Sequence, residues 1–316
     1  MKKTALFAAA AALLLFGACQ KDGKYNPKQK IAKVYEESNY SYSNYDESTG
    51  EWNTDTYNTP KHLTEEWTWD GKKLSKITFI DYDYDEEGNM VADGQDVANF
   101  NYDGSQMTEI TTSDGGRMTF TYDGKKLQKA ELYDGDATPY MTYEFEHDGK
   151  KISSMTMTMV EKKGAKVSRL ERLLLGNIIP QTKSTDQFVC QLRAKAAKSV
   201  QSIKIDLTWD GDNVSKIAAT PGGNATMSLT YDDKNNPFRN FGLMFGSYGE
   251  TGTGVEFCNK NNITKLVYSR NDGSSAEENY TYTYDGNWPV TRTGVYVYEE
   301  EYGKDSSAHK YYYEYE

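Results

Sequence analysis

Met118-Thr-Phe-Thr-Tyr122-Asp-Gly-Lys-Lys-Leu127-Gln-Lys-Ala130-Glu-Leu132 is the stretch that decides the fold class. Up to Tyr122 apolar residues alternate with threonine, the period-two pattern of a strand with one face in a core. Asp123-Gly124 then interrupts the run. Asp-Gly between extended segments is a strong hairpin signal, because glycine accepts positive φ and the aspartate bonds back to its own chain. Beyond the turn the parity slips: Leu127 is followed by Ala130 and Leu132. One extra residue beside a glycine turn is what a β-bulge supplies, and it keeps the apolar side on the same face.

The same phrase, aromatic-Asp-Gly-x-x-aliphatic-x-x-aliphatic, starts at Trp69, Tyr102, Tyr122 and Trp209, with a histidine in the ring position at His147 and looser copies at Tyr231, Cys258 and Tyr284. The starts lie 33, 20, 25, 62, 22, 27 and 26 residues apart, so the chain is a series of similar hairpin units. Gly71, Gly104, Gly124, Gly149, Gly211 and Gly286 are the structural turn residues of these units. Neighbouring units are expected to lie side by side in an all-β, repeat-built antiparallel meander, curled into an open barrel or spread as an extended sheet. Tyr35–Tyr57, where tyrosine alternates with Ser, Asn and Asp, reads as an edge hairpin about Ser48-Thr49-Gly50. The 62-residue gap holds the one interruption, a basic insertion over 161–204 with ten Lys/Arg against three Asp/Glu. Leu170, Leu173 and Leu174 within Val167–Leu175 fall at helical spacing ahead of Gly176, which predicts a small helix there.

Composition agrees with this reading and narrows the partners. The 316 residues are 37% hydrophobic and include 26 Tyr, ring systems that suit strands with one wet face. The 36 Lys+Arg against 47 Asp+Glu give a net charge of -11, which leaves no basic surplus for a phosphate backbone and excludes nucleic acid as the expected partner.

At the start, Lys2-Lys3 precedes an uncharged apolar run from Ala5 to Phe16, too short to span a bilayer as a helix and shaped like an export signal. The run ends in Leu15-Phe-Gly-Ala-Cys19, which resembles the lipobox of bacterial lipoproteins. That resemblance implies a signal peptide over 1–18, lipidation at Cys19, and a tether over 19–30 leading to a domain over 31–316. It also implies a membrane partner through the lipid anchor. Gln20 after the cysteine fits sorting to the outer membrane, with the periplasmic or surface face left open. Cys190 and Cys258 are the remaining cysteines, and the sequence leaves both their paired and their free states open.

The hairpin phrase resembles the tyrosine-aspartate repeats of secreted bacterial proteins. Two further pieces, Tyr231-Asp-Asp-Lys-Asn-Asn-Pro-Phe238 and Asn261-Asn-Ile-Thr-Lys-Leu266, resemble phrases of uncharacterised β-rich Bacteroidetes envelope lipoproteins of the DUF4595 type. That family carries no established activity, so the resemblance implies a fold and an envelope address without a mechanism.

Candidate sites are few. Asp81, Asp83 and Asp85 have the spacing of the first three ligands of a calcium loop, but Glu86 stands where glycine is needed and Ala92 where a glutamate is needed. Weak calcium binding and a solvated strand face are the two readings, and no other cofactor is expected. Pro237–Tyr248 is too apolar for an idle surface loop: Phe238, Phe241, Leu243 and Phe245 read as a core plug, or Phe238, Phe241, Phe245 and Tyr248 as a surface for a glycan or an envelope protein. The residues support a non-catalytic envelope lipoprotein, a binding or structural module, more readily than an enzyme. The alternatives are a carbohydrate-active hydrolase using two carboxylates and a chaperone or assembly partner exposing a sheet edge.

Overall fold

A computed structural model describes residues 27–46, 51–159, 202–220, 226–239, 259–269, 275–300 and 303–316. These form sixteen strands: β1 (Ile31–Asp46), β2 (Glu51–Asp70), β3 (Lys73–Tyr84), β4 (Met90–Asp103), β5 (Gln106–Thr112), β6 (Gly116–Asp123), β7 (Lys126–Asp134), β8 (Met141–Asp148), β9 (Lys151–Met159), β10 (Ser202–Asp210), β11 (Asn213–Thr220), β12 (Thr226–Tyr231), β13 (Ile263–Ser269), β14 (Ser275–Asp285), β15 (Trp288–Glu300) and β16 (Gly303–Tyr315). Each strand pairs with its sequence neighbours, and β1 pairs with β16 from Ile31↔Tyr315 to Ser41↔Ser306, so the meander closes into a barrel.

Closure corrects the expected open barrel or extended sheet, and with it the placing of the first hairpin at an edge. A closed ring leaves no row of unpaired N–H and C=O groups along its wall, which is the physical gain of zipping the first strand to the last. The expected helical insertion is corrected in the same way: among the described residues there is no helix, and 160–201, including Val167–Leu175, lies outside them.

The hairpin phrase has one geometry throughout. In the first unit Thr68 pairs with Lys76 and Trp69 with Leu74, so Ser75 is an extra residue on the return strand. Thr108, Gln128, Ser153, Ser215 and Val290 occupy the same position in later hairpins, and Thr264 does so where β12 meets β13. The bulge explains the aliphatic-x-x-aliphatic spacing, since Leu74 and Ile77 are three apart in sequence yet both are fully buried. Ser75 and Ser215 donate their hydroxyls to Thr68 O and Thr208 O at 2.9 and 3.3 Å, which ties the bulge to the opposite strand.

Rings at or near the turns sew most of these hairpins to the strand before. Tyr102 donates its hydroxyl to Leu74 O at 2.8 Å, and the indoles of Trp69 and Trp209 donate to Ile31 O and Ile152 O at 2.8 Å. Imidazole does the same work at His147, where Nε2 bonds Leu127 O at 2.7 Å and must carry the proton. Tyr231 bonds Val214 O, Tyr282 bonds Ile263 O at 2.7 Å, and Tyr315 bonds Pro289 O at 2.6 Å. The accepting carbonyl belongs in nearly every case to the first aliphatic residue after a turn. A ring with an apolar body and a polar tip is what this position needs, since it fills space inside and satisfies a backbone group.

Inward residues are apolar and outward ones polar. Met118, Phe120, Tyr143, Phe145, Met227 and Leu229 are buried, whereas the alternating Thr121, Glu144, Glu146, Ser228 and Thr230 are exposed. A round ring of sixteen strands encloses more space than its own side chains fill, as in water-filled pores. Here inward residues on wall after wall are almost wholly buried, so the interior is packed with protein.

Because strands alternate direction, the six Asp-Gly turns of the repeated phrase fall at one end, together with the start of β1, the end of β16 and the β12–β13 connection, while the Gly115 and Gly135 turns lie at the other. This turn end is fastened where Glu316 N bonds Lys30 O at 2.9 Å and Lys30 Nζ meets Glu316 Oε2 at 3.0 Å. The opposite, far end carries the remaining connections and the longest strands, β1 and β2.

Candidate functional site

Of the residues that the sequence singles out, the barrel places the turn glycines, the three aspartates of β3 and Phe238. Gly71, Gly104, Gly124, Gly149, Gly211 and Gly286 all sit at the turn end with φ between +54° and +60°. Asp81, Asp83 and Asp85 run up β3 to the far end. The Asp85 carboxylate is committed to its own turn, accepting from Asn89 N at 2.8 Å, Glu87 N at 2.9 Å and Asn89 Nδ2 at 3.1 Å. Those bonds, Asn89's first, hold its carboxyl below the ordinary range. Among the described residues no group of three His, Cys, Asp or Glu is gathered to hold a metal ion. Cys19, Cys190, Phe241, Phe245, Tyr248 and Cys258 lie outside the described residues.

Phe238 is in the core. Only 9% exposed, it packs its ring against Trp67 and Tyr313 with centroids 6.3 and 5.8 Å away. What holds it there is an Asn/Asp clasp built from the two Asn-rich phrases. Asp232 Oδ1 accepts from Lys234 N and Asn262 N, both at 3.0 Å, while its Oδ2 takes Asn262 Nδ2 at 3.0 Å and the Tyr284 hydroxyl. Asn236 Nδ2 donates to Asn259 O at 3.0 Å, and its own Oδ1 accepts Phe238 N at 2.9 Å. Asn259 Oδ1 takes Val214 N at 2.6 Å, and Asn213 Oδ1 takes Lys260 N and Asn261 N at 2.9 and 3.2 Å. Asparagine suits such a knot because one side chain both donates and accepts, standing in for ladder bonds where strands part. The gap left beside Phe238, about 10 Å³, is room for about one water.

A second cluster lies deeper and was not foreseen. On the inner face of β14, β15, β16, β1 and β2 sit Glu278, Arg292, His309, Glu36 and Glu65. Arg292 is 3% exposed, with its guanidinium 5.0 Å from the ring centroids of both Tyr280 and Tyr311. Gly294 makes room for this stack: a Cβ there would come within 3.1 Å of Tyr280 Cε1. Glu36 Oε1 accepts His309 Nδ1 at 2.8 Å and lies 3.4 Å from the Tyr311 hydroxyl. Glu65, 2% exposed, accepts Trp67 Nε1 at 2.8 Å through Oε2 while Oε1 has no partner. Burial pushes the Glu65 carboxyl up to about 8, against the opposing Trp67 bond and with help from the charge of Glu36. Burial likewise raises Glu278, which a bond with Tyr280 and, less strongly, Arg292 and His309 draw back down.

The sequence did carry a signal for this layer. Glu65, Trp67 and Trp69 share one parity, and two rings on the inward face put the glutamate there as well. Glu36 and Glu65 are also the nearest thing to the carboxylate pair a hydrolase requires, and both are sealed in the wall, 8% and 2% exposed. A substrate bond cannot reach carboxyls so placed.

No family model matches the chain, and no curated protein matches it, so the likeness to the tyrosine-aspartate repeat and DUF4595-type proteins stays one of sequence phrases. Among solved structures, the barrel resembles a porin-like protein from Bacteroides uniformis ATCC 8492 at 12% identity and a TM-score of 0.51, over 94% of this chain and 100% of that one. A porin-like protein from Bacteroides vulgatus ATCC 8482 aligns at 10% identity over 92% and 99% of the two chains, with a TM-score of 0.37. The likeness to the first is one of β-barrel fold.

Proposed function

We propose that the chain is a lipid-anchored, non-catalytic barrel of the bacterial outer membrane that stands beside the bilayer rather than through it, as a binding or structural module. One observation carries this reading: the polarity of the wall. A barrel that crosses a membrane turns an apolar band outward. Here the exposed outward positions are mostly Thr, Glu, Asp, Lys, Ser, Asn and Gln, and the large apolar residues exposed among those described are Tyr84, Val91 and Val295.

The anchor fits this geometry. Cys19 stands twelve residues before Ile31, a span of at most about 40 Å when extended, and Ile31 begins at the turn end. Lipid on Cys19 therefore holds the turn end toward the bilayer and the long-stranded far end away from it. Replacing Cys19 by alanine is expected to leave a folded β-barrel that no longer sediments with membranes and no longer incorporates a fatty-acid analogue. Equal labelling of both proteins, or a variant still held by the membrane, overturns the reading.

A further inference from the structure

The inner acidic layer sits where the barrel closes. β16, β1 and β2 meet there, with Tyr313 paired to Val34 and Val34 to Glu65. Around Glu65 the inward groups are Val34 and Glu36 from β1, Phe79 and, two residues further, Asp81 from β3, Trp67 and, in register with Glu36, His62 on its own strand, and Tyr313 and His309 from β16. Asp96 of β4, one strand beyond Phe79, is engaged by the Ser113 hydroxyl at 2.8 Å. Arg292 of β15 is the cation of the layer, but it is stacked between Tyr280 and Tyr311 and draws on Glu278 of β14.

Glu65 thus has one donor, a neighbouring carboxylate and no cation of its own. A single N–H cannot replace the hydration shell of an ionised carboxylate in such a place. Protonated, the group is neutral and the two glutamates coexist. Ionised, it sets like charges on adjacent strands inside the wall, and parting those strands is the available relief.

We propose that this layer is a proton-operated latch on the closing seam: with Glu65 protonated the β16–β1–β2 seam stays zipped, and loss of that proton loosens it. The folded barrel keeps a proton that the unfolded chain gives up above the ordinary carboxyl value of 4.5. The stabilising effect is therefore complete below that value, shrinks as pH rises, and is gone above about 8. Inside that window each pH unit raises the unfolding constant about tenfold relative to a barrel that lacks the group.

The test uses the purified full chain in a non-ionic detergent, with Glu65→Gln and Glu36→Gln. The infrared C=O band of a protonated carboxyl should be present at neutral pH, titrate near 8, and lose this component in E65Q. Removing the neighbouring negative charge in E36Q should move that titration to lower pH. Hydrogen-exchange protection of β1 and β16 amides, measured against β6 and β7 and corrected for intrinsic rates, should fall across the same range in wild type and hold in E65Q. A band that E65Q leaves intact, or seam protection that falls alike in wild type and E65Q, overturns the latch. Should E65Q not fold, an unmoved titration in E36Q does so as well.

Discussion

Gly71 and Lys72 alone connect Asp70 to Lys73, and the φ of +57° at Gly71 is a backbone state that side chains with a Cβ resist. A Cβ built at Gly71, Gly124 or Gly211 meets nothing within 4 Å, so any cost of substitution there is a backbone cost and not a clash. Alanine at each is expected to cost about 1–2 kcal/mol in chemical denaturation, valine more, and asparagine least, because asparagine tolerates the left-handed region. Equal stability across the three variants at all three sites would remove the turn argument. These glycines were legible in the sequence because Asp-Gly is a local signal. Glu65 was not, since a charged residue on a threonine- and tryptophan-rich strand is ordinarily solvated, and only its parity with Trp67 and Trp69 says otherwise.

At the scale of elements, the hairpin with its bulge was readable from the aliphatic-x-x-aliphatic spacing, and the bonds that sew hairpins together were not. They join residues such as Trp209 and Ile152, 57 apart in sequence, and depend on how the strands diverge at the turn end. The clasp behaves likewise: its two phrases stand out in the sequence, but the bond from Asn262 to Asp232 exists only once β12 and β13 are paired. Asp232→Ala strips the acceptor from Lys234 N and Asn262 N, and an orphaned donor of this kind costs about 1–3 kcal/mol. Phe238→Ala removes a ring from between Trp67 and Tyr313 and is expected to cost about 3–5 kcal/mol. If Phe238 instead served as a recognition surface, F238A would unfold at the wild-type denaturant concentration, and that result would contradict the core assignment.

The whole molecule is where local sequence said least. β1 and β16 begin and end the described sheet, and neither the Tyr/Ser/Asn alternation of one nor the Tyr311-Tyr-Tyr-Glu-Tyr315 run of the other marks a strand as an edge or as the partner of a distant segment. Their pairing turns a meander into a closed ring, and that ring shares its fold with a porin-like protein while facing its polar side outward. The central claim, a barrel surrounded by water, is tested most directly by single cysteines at exposed outward positions from the turn end up the wall, Thr208 and Lys204 on β10 and Thr283, Asn279 and Glu277 on β14. Each variant, in isolated membranes and relative to the parent protein, is treated with a water-soluble maleimide. The account predicts full reaction at all five positions; a protected belt about 25 Å tall, as lipid gives a membrane-spanning barrel, would contradict it.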